Sequence, residues 1–321
     1  MGPTVTMLGG GVGCSRLAVP LAAGVDPGHL TLVVNTADDL WRYGLRICPD
    51  LDTNLYALAG MRDQDRGWGL AGDSFNTMGQ LRRMGHDAWF NLGDLDLATH
   101  LLRTKLLAEG LSLSSLTARL AEGLGVCTRL LPMTDSEVST LVTRSDGTYS
   151  FEEWFVKLKA AGPVEGVSYD GIEGATAAPG VLEAINDADL VVLGPSNPVS
   201  SVEPILSLPG VRDCLADRRS SVVAVTPIVD AVPIVDSGEA QRARARQELM
   251  RARELAHTPM AVAGLYHDLA ATFVLDGADA ENEPMIQAKK MGVIVTDTIL
   301  ADADRGRRLA EVLLSCVGVT P

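Results

Sequence analysis

The chain has 321 residues, of which 46% are hydrophobic and 21% charged, and its 41 acidic and 27 basic side chains give a formal net charge of −14. This composition excludes general disorder, because it supplies enough apolar material for a sizeable core. It also disfavours a generic nucleic-acid binder, because a negative protein repels the phosphate backbone. The five cysteines are widely spaced and no apolar run is long enough to span a membrane. We therefore expect a cytoplasmic protein with free thiols and no membrane partner.

The first predicted elements form a strand–helix–strand unit. A short apolar run at 4–8 is followed by glycines and a helical pattern, and a second apolar run at 30–34 follows that helix. This order predicts a βαβ unit and hence a parallel sheet. Near the other end of the chain, strands are predicted at 189–193 and 221–225, and helices at 199–207, 239–256 and 302–315.

The middle of the chain has a different pattern. Successive helices are predicted at 53–59, 74–85, 96–109 and 112–124, followed by a β-hairpin around the turn at 145–147. We therefore predict an α/β protein with a Rossmann-like parallel-sheet core. The core is expected to comprise residues 1–60 and 165–321, and residues 61–164 are expected to form a mostly helical insertion with a β-hairpin.

A glycine loop follows the first predicted strand. Its glycines are Gly9, Gly10, Gly11 and Gly13. Backbone amides and the dipole of the following helix can hold an anion at such a position. A dinucleotide site is disfavoured, because Cys14 stands where the last fingerprint glycine belongs and the second strand ends at Asn35 instead of an acid. The loop therefore favours a phosphate or nucleotide cradle, with a merely tight turn as the alternative.

Four aspartates lie within fifteen positions after the second predicted strand. They are Asp38, Asp39, Asp50 and Asp52. Asp38 and Asp39 follow the carboxyl end of a parallel strand, where α/β proteins place ligands. Carboxylates near a phosphate cradle are typical of a Mg²⁺ site. The alternative for Asp52 is a structural role, as the N-cap of a helix from Thr53 to Ala59.

Three later segments complete the candidate residues. Asp96 is predicted to cap a helix whose apolar side includes Leu101 and Leu102, while Asp96, Thr99 and Arg103 share a face that is either solvated or used in binding. The turn at 194–201 offers polar groups beside a helix N-terminus and predicts a second anion site. The arginines within 241–253 favour a solvated helix over a nucleic-acid stripe.

In combination, these motifs resemble the 2-phospho-L-lactate transferase and phosphoenolpyruvate transferase family of coenzyme F420 biosynthesis. The resemblance runs in order from about residue 4 to the C-terminus. The segments that carry it are Gly9-Gly-Gly-Val-Gly13, Asn35-Thr-Ala-Asp-Asp-Leu-Trp41, Pro49-Asp-Leu-Asp-Thr53, Leu92-Gly-Asp-Leu-Asp-Leu-Ala-Thr-His-Leu101, Leu131-Pro-Met-Thr-Asp135, Phe151-Glu-Glu-Trp-Phe155 and Gly194-Pro-Ser-Asn-Pro198.

The resemblance implies a Mg²⁺-dependent homodimeric transferase. It would move a phosphoenolpyruvyl or 2-phospholactyl group from a guanosine-diphosphate-linked donor to the deazaflavin Fo, releasing GMP. Fo is expected in a cleft between the sheet and the insertion. The apolar stretch Val222–Val235 is a further reason to expect a dimer. The alternative is a nucleotide-sugar-binding regulator with a similar glycine loop, which would not need the segments around Asp52 and Asp96.

The resemblance also assigns roles to individual residues. Asp38 and Asp52 would be catalytic and hold the metal. The residues expected at Fo are Asp52, Asn91, Asp94, Asp96 and Thr99. The residues expected at the donor are Gly9, Gly10, Gly11, Gly13, Ser196 and Asn197.

Overall fold

Seven parallel strands form the centre of the molecule. The structure is a computed structural model and describes residues 2–317. The strands of the described residues are β1 Val5–Gly9, β2 Leu30–Val34, β3 Leu40–Arg42, β4 Leu45–Ile47, β5 Arg129–Pro132, β6 Ser139–Arg144, β7 Gly147–Ser150, β8 Gly166–Asp170, β9 Leu190–Leu193, β10 Val222–Val225, β11 Thr272–Asp276 and β12 Gly292–Thr296. The main sheet has the order β12-β11-β10-β9-β1-β2-β5. The predicted α/β class and parallel sheet are confirmed.

The strand order reverses direction beside β1. Val5 is in register with Leu30 of β2 on one side and with Leu190 of β9 on the other. From β1 the chain builds outward to β2 and β5, and later from β9 to β12 on the opposite side. Ligands of open α/β sheets bind outside the carboxyl ends of the strands at such a reversal. The glycine loop after β1 and the turn after β9 both lie there.

Helices cover both faces of the main sheet. They are α1 Gly11–Gly24, α2 Pro49–Leu58, α3 Asn76–Arg83, α4 Asp96–Ala108, α5 Leu113–Gly123, α6 Val181–Asp187, α7 Glu203–Leu206, α8 Val211–Asp217, α9 Ser237–Ala252, α10 Pro259–Tyr266, α11 Glu283–Gln287 and α12 Ala303–Leu314. Successive residues of β1 point to opposite faces, so Met7 packs into one buried cluster and Leu8 into the other. Burial on both faces explains why the sheet strands are continuously apolar.

The middle of the chain contains the predicted helices and more strands than expected. Helices α2 to α5 confirm the four predicted helices, and β6 pairs antiparallel with β7 as the predicted hairpin. β6 also pairs with β8 to give a three-stranded sheet. β5 pairs with β2 as an edge strand of the main sheet, so this sheet takes one strand from within 61–164. The division of the chain at 60 and 165 stays a prediction.

The apolar stretch Val222–Val235 serves two structural purposes. Its first four residues form β10, an internal strand of the main sheet. The exposed apolar residues are confined to its end, where Val235 is 96% exposed. The core therefore accounts for much of this stretch, and homodimerisation stays a prediction. Within residues 2–317, no helix combines the length and apolarity that crossing a bilayer requires.

Candidate active site

A cleft of about 810 Å³ lies at the carboxyl end of the main sheet. The glycine loop and the 195–197 turn form its floor, beside the strand-order reversal. Residues of the insertion, including Asn91 and His100, form a facing wall, and Phe151 and Phe155 line it as well. The cleft therefore lies between the sheet and the insertion, where a ligand of the sheet can also contact the insertion.

Close packing explains the glycine loop. A Cβ atom on Gly10 would lie 2.0 Å from Oδ2 of Asp50, and one on Gly13 would lie 2.2 Å from the carbonyl oxygen of Pro195. Neither position has room for a side chain. The loop thus brings the start of α1 directly against Asp50 and against the turn after β9.

The turn after β9 is fixed to the glycine loop by Ser196. The Ser196 hydroxyl accepts from the Gly10 amide at 3.0 Å and donates to the Gly10 carbonyl at 2.9 Å. Oδ1 of Asn197 accepts from the amides of Val199 and Ser200, and so caps the helical turn Pro198–Val202. Of the six residues predicted at the donor, all but Gly9 line the cleft. The side-chain contacts of Ser196 and Asn197 in this structure hold the cleft floor together.

A group of buried and half-buried carboxylates lies beside the glycine loop. The Asn35 side-chain amide donates to Oδ2 of Asp38 at 3.0 Å and to Oδ2 of Asp50 at 3.1 Å. Glu152, from the segment after β7, is buried and lines the cleft with them. Within residues 2–317, none of these three carboxylates forms a salt bridge, and Oδ1 of Asp38 has no hydrogen-bond partner.

The pKa values of these carboxylates reflect burial without a compensating cation. Burial raises the pKa of Asp50 to about 6. Burial and the nearby charge of Asp50 raise the pKa of Glu152 to about 8. The pKa of Asp38 is raised by burial and then by the charges of Asp50 and Glu152. Like charges that are buried together disfavour each other's ionised form, so the group is suited to receive a cation.

Glu152→Gln should therefore stabilise the metal-free protein as the pH rises. The pKa of Glu152 is about 8 in the folded protein and near 4.5 in the unfolded chain. Its protonated form therefore stabilises the fold fully below pH 4.5, and this contribution is lost as the pH rises to about 8. Glutamine stays neutral, so its advantage should grow from pH 4.5 to pH 8, to about 2 kcal/mol. Thermal melts in the presence of a chelator measure it.

Glu153→Gln is the matched control for this experiment. Glu153 is the next residue, but it is partly exposed and pairs with Lys157 at 3.0 Å. Its replacement should lower the free energy of unfolding by less than about 1 kcal/mol and should not stabilise the protein at high pH. A Glu152→Gln melting temperature that differs from wild type by the same amount at pH 5 and pH 8 would refute the proposed ionisation cost.

A second polar group lies on the insertion side of the cleft. Both carboxylate oxygens of Asp52 accept from Arg103, with Nη1 to Oδ2 at 3.1 Å. His100 lies between two carboxylates, with Nδ1 3.6 Å from Asp52 and Nε2 3.1 Å from Asp96. The Tyr56 hydroxyl donates to Asp96 at 2.6 Å. All five side chains are buried, and all except Arg103 also line the cleft.

The two groups differ in charge compensation. One ligand atom each from Asp52, Asp96 and His100 lies within 4.8 Å of the others, as in a metal site. Arg103 already neutralises Asp52, however, and the charge of Asp52 in turn raises the pKa of Arg103. Asp38 has no such cation. The structure thus separates the two predicted metal ligands, Asp38 and Asp52, into different electrostatic environments.

Two predicted helix caps are wrong. Helix α2 begins at Pro49, which places Asp52 inside its first turns, where the side chain can reach Arg103. Proline is favoured at the first helical position, which explains the earlier start. Asp96 is the first residue of α4, and Asp73 accepts from the Leu95 and Asp96 amides instead.

Helix α4 buries only part of the predicted apolar side, because Leu106 is buried as expected and Leu101 and Leu102 are exposed. Leu101 is 58% exposed, whereas Arg103 is 1% exposed. The predicted apolar side of α4 is therefore wrong for Leu101 and Leu102, and the polar face is the buried one. The network around Asp52 gives Arg103 and Asp96 buried partners, although Nε of Arg103 has no hydrogen-bond partner.

Of the remaining residues predicted at Fo, Asn91 lines the cleft, whereas Asp94 and Thr99 do not. Asn91 lines the cleft, and its Oδ1 accepts from Arg82 at 2.9 Å. Asp94 is engaged elsewhere, because it accepts from the amides of Asn76 and Thr77 at the start of α3. Neither Asp94 nor Thr99 lines the cleft.

Sequence reasoning missed a basic wall of the cleft. Arg242 and Arg246 of α9 line the cleft, although the arginines of this segment are predicted to be solvated. The prediction holds for Arg244, which is exposed, and for Arg251, which pairs with the neighbouring Glu248. The spacing of Arg242 and Arg246, one helical turn apart, was the signal that could have identified a common face.

Known proteins resemble this chain over almost its whole length. A family model described as 2-phospho-L-lactate transferase CofD matches residues 5–305. The 2-phospho-L-lactate transferase of Methanosarcina mazei is 35% identical over 305 residues, covering 95% of this chain and 97% of that protein. The phosphoenolpyruvate transferase of Mycolicibacterium smegmatis is 36% identical over 332 residues, covering 98% and 99%.

A solved structure shares the fold at lower sequence similarity. The crystal structure of a UPF0052 family member from Bacillus halodurans superposes with a TM-score of 0.60 and 18% identity, covering 98% of this chain and 99% of that chain. At this identity the likeness concerns the fold alone. It agrees with the parallel sheet and flanking helices described above.

Proposed function

The chain belongs to the 2-phospho-L-lactate transferase CofD family and is a transferase of coenzyme F420 biosynthesis. From this premise we propose that it transfers a phosphoenolpyruvyl or 2-phospholactyl group from a guanosine-diphosphate-linked donor to the deazaflavin Fo, with release of GMP. The family resemblance inferred from the motifs is confirmed by the match over residues 5–305.

The observation that carries this proposal is the uncompensated carboxylate group beside the glycine loop. The buried Asp38 and Glu152 and the half-buried Asp50 line the cleft together at the strand-order reversal, without a salt bridge inside residues 2–317. Oxygen ligands of this kind suit Mg²⁺. We assign the metal to Asp38 and Asp50, with Glu152 beside them. When bound, Mg²⁺ would offset the negative charge of the donor diphosphate.

The proposal keeps Asp52 on the acceptor side. Its carboxylate lines the cleft but is held by Arg103, with His100 on its other side. Such a fixed carboxylate can orient the ribityl hydroxyl of Fo without reorganising. Asn91 and Asp96 line the same wall and would contact Fo, while Asp94 and Thr99 would support that wall from outside the cleft.

The chemistry requires an in-line displacement at phosphorus. The terminal ribityl hydroxyl of Fo would attack the phosphorus that carries the transferred group, forming a new P–O bond. The bond to the guanylyl oxygen would break and GMP would leave with its electron pair, while the hydroxyl proton passes to a carboxylate of the cleft. The amides of the glycine loop and the dipole of α1 would hold the diphosphate in place.

A direct assay tests the proposed reaction. The protein is incubated with Fo, Mg²⁺ and, in separate reactions, the guanylylated phosphoenolpyruvate or 2-phospholactate donor, with products identified by mass spectrometry. We expect GMP and a phosphorylated Fo adduct in equal amounts with at least one donor. Binding of the donor without GMP release would instead favour a regulatory nucleotide-binding protein.

The donor comparison in this assay has a further use. The two curated relatives are 35% and 36% identical and carry the names of different transferases, so similarity does not choose between the donors. The ratio of kcat/KM for the two donors identifies the preferred donor. Because the two donors differ only in whether one carbon–carbon bond is double or single, we expect their kcat/KM values to differ by about tenfold to a hundredfold.

A further inference from the structure

Arg246 is an unusual cation on the basic wall of the cleft. Its Nε donates to Nε2 of His257 at 3.0 Å. Among residues 2–317, no carboxylate forms a salt bridge with Arg246, and its terminal nitrogens have no hydrogen-bond partner. Both Arg246 and His257 line the cleft. Its guanidinium is thus anchored at one edge, with both terminal nitrogens available.

The neighbouring arginines are compensated in other ways. Arg242 lies 3.0 Å from Glu239, and the same carboxylate also pairs with Arg16 of α1. Near the end of α9, Arg253 lies 2.9 Å from Glu203. Arg246 is half-buried, and although the charge of Glu239 acts on it, it forms no salt bridge within residues 2–317. A half-buried cation without an ion-pair partner gains from an anionic ligand.

The protonation states support an intact positive charge. Burial, together with the charge of Arg246, lowers the pKa of His257 to about 4, so this histidine is a neutral acceptor at physiological pH. Burial lowers the pKa of Arg246 to about 10, which still leaves the guanidinium charged. Since His257 adds no negative charge, it orients Arg246 without neutralising it.

We propose that Arg246 binds an oxyanion of the donor in this cleft, with His257 as the positioning residue that fixes the guanidinium plane. This inference rests on the proposed function for the identity of the donor. The two terminal nitrogens form the planar fork that matches a carboxylate or a phosphate. The donor offers both, a diphosphate and the carboxylate of the transferred group, whereas GDP offers only the phosphates.

Equilibrium binding separates these possibilities. Titration calorimetry compares GDP and the guanylylated phosphoenolpyruvate donor on the wild type and on Arg246→Gln. We expect donor affinity to fall about 10- to 100-fold in the variant. If GDP affinity falls equally, the bound oxyanion is a phosphate; if GDP affinity is unchanged, it is the carboxylate.

Arg244→Gln is the matched control. Arg244 lies on the same helix, is exposed and does not line the cleft, so its replacement removes the same charge at a different face. It should leave both affinities within about twofold of wild type, because exposed charges at a distance are screened. A general electrostatic effect would lower the affinity in both variants alike and would overturn the assignment to Arg246.

A second measurement does not depend on the variant folding. Phenylglyoxal modifies accessible arginines, and peptide mapping of the wild type should show that the donor protects Arg246 but not Arg244. The inference would be overturned by a folded Arg246→Gln protein that binds the donor and GDP with wild-type affinities. It would also be overturned if saturating donor did not protect Arg246, or if the wild type bound neither the donor nor GDP. A wild type that binds the donor through Arg246 but releases no GMP would refute only the proposed transfer.

Discussion

Asp38→Asn is expected to reduce GMP release by about 100-fold or more at saturating Fo and donor. Asparagine keeps the shape of the side chain and removes the charge that we assign to the metal. The same change should leave the metal-free protein at least as stable as wild type. The physical reason is that Asp38 is buried beside Asp50 and Glu152, whose charges raise its pKa and oppose its ionisation.

The metal contribution can be measured without turnover. Mg²⁺ should raise the melting temperature of the wild type, because a ligand that binds only the folded state stabilises it. This increase should be lost or much reduced in Asp38→Asn. A folded variant with near-normal turnover and an unchanged Mg²⁺ effect would remove Asp38 from the metal site.

Asp39→Asn is a neighbouring comparison at a buried aspartate outside the cleft. Asp39 is equally buried, but it pairs with Arg46 at 3.2 Å and does not line the cleft. Burial raises the pKa of Asp39 to about 7 even beside Arg46, so its replacement by the neutral asparagine should not lower the melting temperature at neutral pH in the absence of metal. Transfer should fall much less than in Asp38→Asn. Two adjacent buried aspartates would thus differ in their effect on transfer and not in their effect on stability.

The main sheet was predictable because its signals are local. The apolar runs that became β1, β2, β9 and β10 are each continuous, and the glycine loop marks where β1 ends. The order of the strands in the sheet cannot be read from the apolar runs. The carboxyl ends of parallel strands nevertheless lie at one edge of the sheet, whatever their order. This is why the glycine loop and the turn at 194–201 could be expected to face one ligand.

The carboxylate group was only partly predictable, because it is assembled from distant segments. Glu152 reaches Asp38 and Asp50 through the hairpin of β6 and β7, and no spacing rule connects positions so far apart. Asp52 was assigned to the metal from the family resemblance, and the predicted start of α2 was too late to place its side chain. Proline at the first helical position gives Asp50 the place beside Gly10 and turns Asp52 toward Arg103.

Side-chain partners also decided which face of a helix is buried. The polar residues of α4 have the spacing of a solvated stripe, but Arg103 meets Asp52 from another helix and both become buried. The arginines of α9 look alike in the sequence. Only the fold distinguishes Arg244, in water, from Arg246, in the cleft. Such pairings depend on tertiary contacts, which periodicity cannot specify.

Asp52→Asn is expected to destabilise the protein by about 3–5 kcal/mol, the usual consequence of removing one partner of a buried ion pair. Arg103 is 1% exposed and would keep its charge without the carboxylate that holds it. In a chain of this length the loss should lower the melting temperature by several degrees. Turnover would also fall, but the single variant cannot say whether chemistry or structure is responsible.

The double variant Asp52→Asn/Arg103→Met resolves that question. Removing both charges eliminates the unpaired cation, and an apolar side chain in place of a buried ion partner is often neutral for stability. We expect the double variant to recover at least about 2 kcal/mol of the stability lost in Asp52→Asn, measured as the difference between the unfolding free energies of these two variants. If Asp52 acts on the Fo hydroxyl, GMP release stays about 100-fold below wild type despite the recovered stability. If turnover returns along with stability, Asp52 serves only to hold Arg103, and its proposed role at the acceptor is wrong.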